Sequence, residues 1–163
     1  MSDWFFFYGT LMDQEVLTLV LDRDVRSEEL APAILPDFRR VASPGVVYPR
    51  LVEDAASKVT GLALAAPRPR DLVRLAWFED GEYEPVRNQV LLLDGGLAQA
   101  WLFRAFDEVL AADHRLWCPL SWSLHDKPSY LMACPRWMVG CPEPDDDHPF
   151  LRRIHEEGPR KAA

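Results

Sequence analysis

The chain opens on five consecutive aromatic residues, Trp4-Phe5-Phe6-Phe7-Tyr8, and Gly9-Thr10 stops the run. Such a run is too short to cross a bilayer and too apolar to lie in water, so it reads as a buried strand ending in a turn. Any fold of this chain has to build a core around that strand. With 163 residues, 48% of them hydrophobic, it has the means. A chain of this size buries roughly two-thirds of the surface its unfolded form exposes, enough for a core without a disulfide or metal staple.

Charge narrows the function classes. The 18 Lys and Arg residues are outnumbered by 26 Asp and Glu, giving a net charge of −8, the opposite of the basic footprint that a phosphate backbone requires. No nucleic-acid partner is expected. Cys118, Cys134 and Cys141 are an odd set without CxxC spacing, which fits a reducing compartment. The N-terminus carries Asp3 where a secretory signal would be basic. The expectation is a cytoplasmic chain with no membrane partner.

The order of elements follows from periodicity and punctuation. After the first strand, Val16, Leu17, Leu19 and Val20 keep helical spacing from Met12 onward, with Thr10 or Asp13 as the cap. Four short runs, Ala33 to Leu35, Phe38 to Val41, Val46 to Val52 and Val59 to Ala65, predict an antiparallel meander, with Pro49 marking an edge or bulge. Pro69 opens a helix with Leu72, Leu75 and Ala76 facing inward, Glu79 in its last turn and Gly81 at its end. A hairpin joins Val86 to Leu93 with Leu97 to Phe103 through Asp94-Gly95-Gly96. Asp107 to Leu116 reads as helical, and a helix pair is expected across the Trp-rich stretch containing Trp117, Trp122, Tyr130 and Trp137. Residues 1–140 are expected to form one domain, and 141–163, with Pro142, Pro144, Pro149 and Asp145-Asp146-Asp147, a polar tail that lies on the surface or frays.

Three constellations can carry chemistry. In the first, Tyr8-Gly9-Thr10-Leu11 joins a strand to a helix start, where backbone N–H groups can approach an anion or a developing oxyanion, and Glu79 supplies an acid. Trp77 and Phe78 can desolvate that acid while Asp80 and Glu82 crowd it with like charge, and both effects favour its protonated form. On local pattern alone, Gly9 as a plain turn and Glu79 as a solvated acid is the preferred reading. The second sets Asp145, Asp146, Asp147, His148 and His155 as divalent-metal ligands, but without EF-hand spacing, and a solvated acidic tail is the better reading. The third pairs Cys118 with His114 or His125 as nucleophile and base, against which an inert cysteine is favoured.

Several short motifs occur in an order that shifts this balance. Phe6-Phe7-Tyr8-Gly9-Thr10-Leu11, Asp37-Phe38-Arg39-Arg40, Tyr48-Pro49-x-Leu51-Val52, Val59-x-Gly61 and Phe78-Glu79-x-Gly81-x-Tyr83 span roughly residues 4 to 104. In this the chain resembles the γ-glutamylcyclotransferase-like superfamily, in particular its γ-glutamylamine cyclotransferase and AIG2-like branch. The resemblance implies an α+β fold, a small mixed β-barrel with flanking helices. It also implies a small-molecule γ-glutamyl substrate, bound by Tyr8, Gly9, Thr10 and Leu11 with Tyr83 on the cavity wall. Glu79 is then the catalytic acid/base, and no metal or other cofactor is required. The implied reaction releases an amine or amino acid and leaves 5-oxoproline. One departure stands out: where related members carry an arginine two residues after the tyrosine matching Tyr83, this chain has Pro85, with Arg87 displaced. Two alternatives stay open, a non-catalytic ligand-binding or interaction module and another acyl transfer in the same cavity.

Overall fold

The computed structural model describes residues 3–106 and 111–157. Its frame is a closed barrel of five strands, β1 (Trp4–Phe7), β2 (Leu30–Val41), β3 (Arg50–Ala65), β4 (Tyr83–Leu92) and β5 (Gly96–Ala105), in the order β1-β3-β2-β4-β5. All pairings are antiparallel except β1 with β5, which is parallel and closes the ring. This is the mixed barrel expected. Five helices flank it: α1 (Gln14–Leu21), α2 (Pro69–Glu79), α3 (Pro119–His125), α4 (Lys127–Trp137) and α5 (Pro149–Glu156). Among the described residues no helix is long and apolar enough to cross a membrane.

The opening aromatic run serves two cores at once, because successive strand side chains point to opposite faces. Phe6 and Tyr8 join Leu35, Leu51, Val59, Ala63, Val90 and Leu102 in one cluster. Phe5 and Phe7 join Trp101, Phe103 and the helix residues Val16, Leu17, Val20, Leu72, Leu75 and Tyr130 in the other. The first cluster fills the barrel and the second seats the helices. Gly61 on β3 is fixed by this arrangement. A Cβ there would strike the Phe7 carbonyl oxygen and come within 2.7 Å of the Phe6 ring.

Several expectations need correction. The four-run meander is two long strands, since Asp37 takes φ 66° and turns its breaker into a register shift between Pro36 and Phe38. Asp54-Ala-Ala-Ser57 likewise stays within β3, where the Asp54 carboxylate accepts from Ala56 N–H and Ser57 Oγ. Pro49 precedes β3 rather than interrupting it. The helix expected straight after Thr10 is delayed by a 3-10 turn at Thr10–Met12, and Asp13 caps α1 by accepting from Glu15 and Val16 N–H. Of the helix expected over Asp107 to Leu116, residues 107–110 lie outside the described residues. Residues 111–116 are not helical: Asp113 N–H donates to Ala42 O, Ala42 N–H donates to Arg115 O, and Leu116 bridges Val41. The expected helix pair is present as α3 and α4.

The tail also departs from expectation. Residues 149–156 form α5, whose Phe150, Leu151 and Ile154 are buried in the helix-side core. Phe150 meets Trp101 edge-on at 6.0 Å and Phe103 at 5.6 Å. The polar composition that suggested a loose tail belongs to the other face of an amphipathic helix.

Two substitutions check this frame. Phe150→Ala is expected to cost about 3 kcal/mol, the order found for large core deletions, measured as a lower urea midpoint. Gly61→Ala is expected to cost about 2 kcal/mol or more by overpacking, with Phe7 and Phe6 unable to give way together. An unchanged midpoint in the first variant would show that α5 is not part of the cooperative core.

Candidate functional site

Strand β1 runs into the turn Tyr8-Gly9-Thr10-Leu11 at one end of the barrel, and α2 ends there at Glu79. Between them lies a cavity of about 400 Å³, walled by that turn together with Tyr48, Phe78, Glu79, Glu82, Tyr83, Phe103, Tyr130 and Trp137. Its volume is in the range of small-molecule sites. The two halves of the first constellation, separated by most of the domain in sequence, share one cavity.

Each wall is fixed by contacts that can be traced. Gly9 is held close to Pro49, since a Cβ there would meet Pro49 Cγ at 3.0 Å. Arg40 Nη1 donates to the Tyr8 carbonyl at 2.8 Å while its guanidinium lies 5.4 Å from the Trp117 ring centre. That takes up the carbonyl to which a regular turn would direct the Leu11 N–H. The 3-10 turn itself uses only the Met12 and Asp13 N–H groups, which donate to Gly9 O and Thr10 O. Among the described residues no backbone carbonyl accepts from the Gly9, Thr10 or Leu11 N–H. The residues carrying these three uncommitted donors line the cavity, in a tight turn rather than at the start of a long helix.

The phenols of the site are committed to backbone or side-chain partners. Tyr8 OH donates to Phe103 O at 2.6 Å and Tyr83 OH to Pro49 O at 2.9 Å. Tyr48 OH donates to Glu82 Oε2 at 2.6 Å, and Tyr130 OH shares a 3.0 Å hydrogen bond with Thr10 Oγ1. Burial raises the proton affinity of all four, and the nearby Glu79 charge adds to it, so each stays a neutral phenol at physiological pH. Tyr83 is thus both a cavity wall and a buried aromatic with its hydroxyl tied down.

Glu79 is the exceptional group. No described residue donates a hydrogen bond to its carboxylate. Burial, with a smaller contribution from the negative charge of Glu82, pushes its pKa from 4.5 up to about 8. A carboxyl so placed can hold or release a proton near neutral pH, which suits acid/base work. The local backbone contributes: Asp80, capping α2, has φ 46° and ψ −151°, a region other than glycine rarely enters. That kink ends the helix so that Glu79 and, three residues on, Glu82 both reach the same cavity.

The other two constellations come apart. His148 caps α5, its Nδ1 accepting from Phe150 N–H at 3.3 Å, and among the described residues no group of three or more His, Cys, Asp or Glu is placed to hold a metal. Cys118 caps α3 through a 3.5 Å contact from Ser121 N–H, and no hydrogen bond joins it to His114 or His125. All three cysteines are free. Arg87 turns away from the cavity, with its guanidinium 5.5 Å from the Trp101 ring and Nη2 3.7 Å from Asp3.

Four wall residues escape a sequence reading. Tyr48 stands in the Tyr48-Pro49 motif but no local signal ties it to Glu82. Phe103 ends a strand as any core aromatic does. Tyr130 and Trp137 lie on α4, which docks through Lys127 Nζ to Asp13 at 2.7 Å and Glu15 at 2.9 Å, contacts between segments remote in sequence.

The family described as gamma-glutamyl cyclotransferase, AIG2-like matches residues 5–122, and the chain belongs to it. AIG2-like protein D of Arabidopsis thaliana is 42% identical over 89 residues, 55% of this chain and 57% of that relative, so the match spans little more than half of its length. AIG2-like protein C of the same plant is 28% identical over 136 residues, 82% of this chain and 76% of its own. Among solved structures, an Arabidopsis thaliana protein in solution superposes with a TM-score of 0.60 at 20% identity, covering 83% of this chain and 81% of its own. A gamma-glutamyl cyclotransferase superposes with a TM-score of 0.51 at 15% identity, covering 96% and 97%. These structural likenesses establish a shared fold. The family match continues past Phe103, through Trp117 and Trp122, which hold the loop around Val47 and the α3–α4 corner.

The raised Glu79 pKa carries a stability signature. Below about pH 4.5 the carboxyl is protonated in folded and unfolded chains alike and nothing is lost. Between 4.5 and about 8 the unfolded chain gives up the proton first, so folding takes one up and stability falls as pH rises. Glu79→Gln removes that dependence. The variant is expected to melt higher than the parent at pH 9 and close to it at pH 5, in thermal denaturation followed by circular dichroism. A difference that does not vary with pH would contradict the raised pKa.

Proposed function

We propose that this protein is a γ-glutamyl cyclotransferase: it releases an amine or amino acid from a γ-glutamyl compound and forms 5-oxoproline, with Glu79 as acid/base and the Tyr8 to Leu11 turn as the substrate loop. The observation that carries the reading is one half-buried carboxyl, without a hydrogen-bond donor among the described residues and with its pKa pushed up to about 8, sharing a 400 Å³ cavity with a turn whose N–H groups are uncommitted. The family match supports the reaction class.

The chemistry needs few parts. The substrate's α-ammonium enters beside Glu79, which takes a proton and leaves a neutral amine. That amine attacks the γ-carbonyl carbon, a five-membered ring closes, and the carbonyl oxygen becomes an oxyanion facing the Gly9, Thr10 and Leu11 N–H groups. The amide C–N bond then breaks. Two protons leave the α-nitrogen, two reach the departing amine by way of Glu79, and the carboxylate is regenerated. Ring closure is intramolecular, where effective molarities can reach ~10⁵ M or more, so holding the chain in a bent conformer supplies much of the rate. Tyr8, Tyr83 and Phe103 shape that conformer from the cavity wall.

A second reading has one observation in its favour. Arg87 packs against Trp101 instead of reaching the cavity, and Pro85 occupies the position of the family's arginine. On that second reading the cavity binds a ligand that the chain does not turn over.

Assay of the purified protein against a panel of γ-glutamyl amines and γ-glutamyl amino acids decides between the two. The expected result is 5-oxoproline from at least one member, with kcat/KM rising through about pH 8 as Glu79 loses its proton. Glu79→Gln is expected to lower kcat by roughly 100-fold or more, the usual scale for losing a general acid/base, while substrate still binds. Binding without product across the panel favours the module, and undiminished turnover by the Gln variant removes Glu79 from the mechanism.

A further inference from the structure

The cavity holds more negative charge than the γ-glutamyl half of a substrate can use, and it holds that charge beside a wall of aromatic rings. Glu79, Asp80 and Glu82 line it, and among the described lining residues there is no lysine or arginine. The same cavity is lined by Phe78, Tyr130 and Trp137, which pack on one another: Tyr130 meets Trp137 edge to face at 4.8 Å and 75°, Phe78 meets Tyr130 likewise at 6.5 Å and 74°, and Phe78 and Trp137 are tilted at 6.2 Å and 55°. Trp77 fixes this wall by donating from Nε1 to Trp137 O at 2.9 Å. Both tryptophans line the cavity yet stay open to solvent, Trp77 at 40% and Trp137 at 45% exposure, which puts them where the cavity meets solvent.

Building on the cyclotransferase reading, we infer that the mouth of this cavity is a subsite for a positively charged leaving group. The favoured substrates are γ-glutamyl conjugates of amines that carry a second, alkylammonium charge and no carboxylate. The accounting is electrostatic. One acid, Glu79, meets the α-ammonium and exchanges its proton. Glu82 and the exposed Asp80 are left, and of these the Glu82 carboxylate is aimed by the 2.6 Å hydrogen bond from Tyr48 OH. A neutral leaving group gives that charge nothing to pair with, and an anionic one is repelled by it. An alkylammonium pairs with Glu82 and lies over the electron-rich faces of Trp77 and Trp137, where cation–π attraction adds to the ion pair.

Three conjugates of matched length isolate the effect: γ-glutamyl-butylamine, γ-glutamyl-1,4-diaminobutane and γ-glutamyl-4-aminobutanoate. The diamine conjugate is expected to exceed the butylamine conjugate in kcat/KM by about tenfold, with the aminobutanoate conjugate below both. Glu82→Gln should bring the ratio of the first two close to one. Because Glu82 also raises the Glu79 proton affinity, absolute rates will shift, but that shift is common to all three conjugates and leaves the ratio as the readout. Tyr48→Phe, which keeps the Glu82 charge and removes its aim, should reduce the ratio by a smaller factor and guards against a folding defect in the first variant. Ratios within about twofold across the parent and both variants would overturn the subsite while leaving the cyclotransferase reading intact.

If no conjugate turns over, the cyclotransferase reading fails and the subsite is read by binding. Tryptophan fluorescence is then titrated with 1,4-diaminobutane and with butanoate. Saturable quenching by the diamine alone, weakened at least about fivefold in Glu82→Gln, sustains the cation subsite. Equal quenching by both probes, or none by the diamine, overturns it.

Discussion

The structure depends on one short strand that has to satisfy two cores. β1 pairs antiparallel with β3 and parallel with β5, and so closes a barrel that the other four strands leave open. Its side chains alternate between the barrel interior and the helix-covered exterior, which is why an aromatic at every position is an asset here. The close approach of β3 to this strand is possible only because Gly61 offers no Cβ to the Phe7 carbonyl and the Phe6 ring. Barrel closure also removes exposed strand edges, the usual liability of a sheet this rich in apolar residues.

The site is a by-product of where that strand stops. Beyond Phe7 the chain has left the ladder, so the N–H groups of the next turn have no strand partner, and Arg40 takes the Tyr8 carbonyl that would have turned one of them inward. α2 ends against the same opening because its N-terminus is anchored far away: Arg23 binds the buried Asp71 through two 2.9 Å hydrogen bonds, and Asp71 in turn accepts from Arg68 N–H. An eleven-residue helix starting from that anchor delivers Glu79 to the cavity. α4 closes the third side through Lys127 and Tyr130. A carboxyl enclosed by aromatic rings and a second acid is costly to ionise, and that cost is what brings its proton within reach of neutral chemistry.

An acidic protein with an acidic cavity presents one sign of charge at both scales. Long-range attraction from the surface favours cations, and the local donors of the Gly9 turn are the part of the cavity suited to a substrate carboxylate or oxyanion.

Much of this was legible in the residues. The aromatic run, the Gly-Thr stop, Pro69 at the start of α2 and Glu79 at its end are local patterns, and the strand, turn, helix and hairpin they predict are present because backbone propensity and side-chain alternation act within a few residues. Even the candidate pair of turn and acid could be named from motif order. The sequence did not yield the length of β2 and β3, because Asp37 and the Asp54 to Ser57 segment look like breakers until the partner strand absorbs them as bulges. Nor did it yield α5, whose buried face reads as three apolar residues in a polar tail until Trp101 and Phe103 are set beside Phe150. Tyr48 aimed at Glu82, and Tyr130 joined to Thr10, are contacts between segments tens of residues apart, which no local pattern encodes. The sequence by itself determined which residue types were available and which short elements they form. Only the tertiary structure decided that Glu79 is desolvated and therefore holds its proton, because burial is a property of everything packed around a group and none of the group itself.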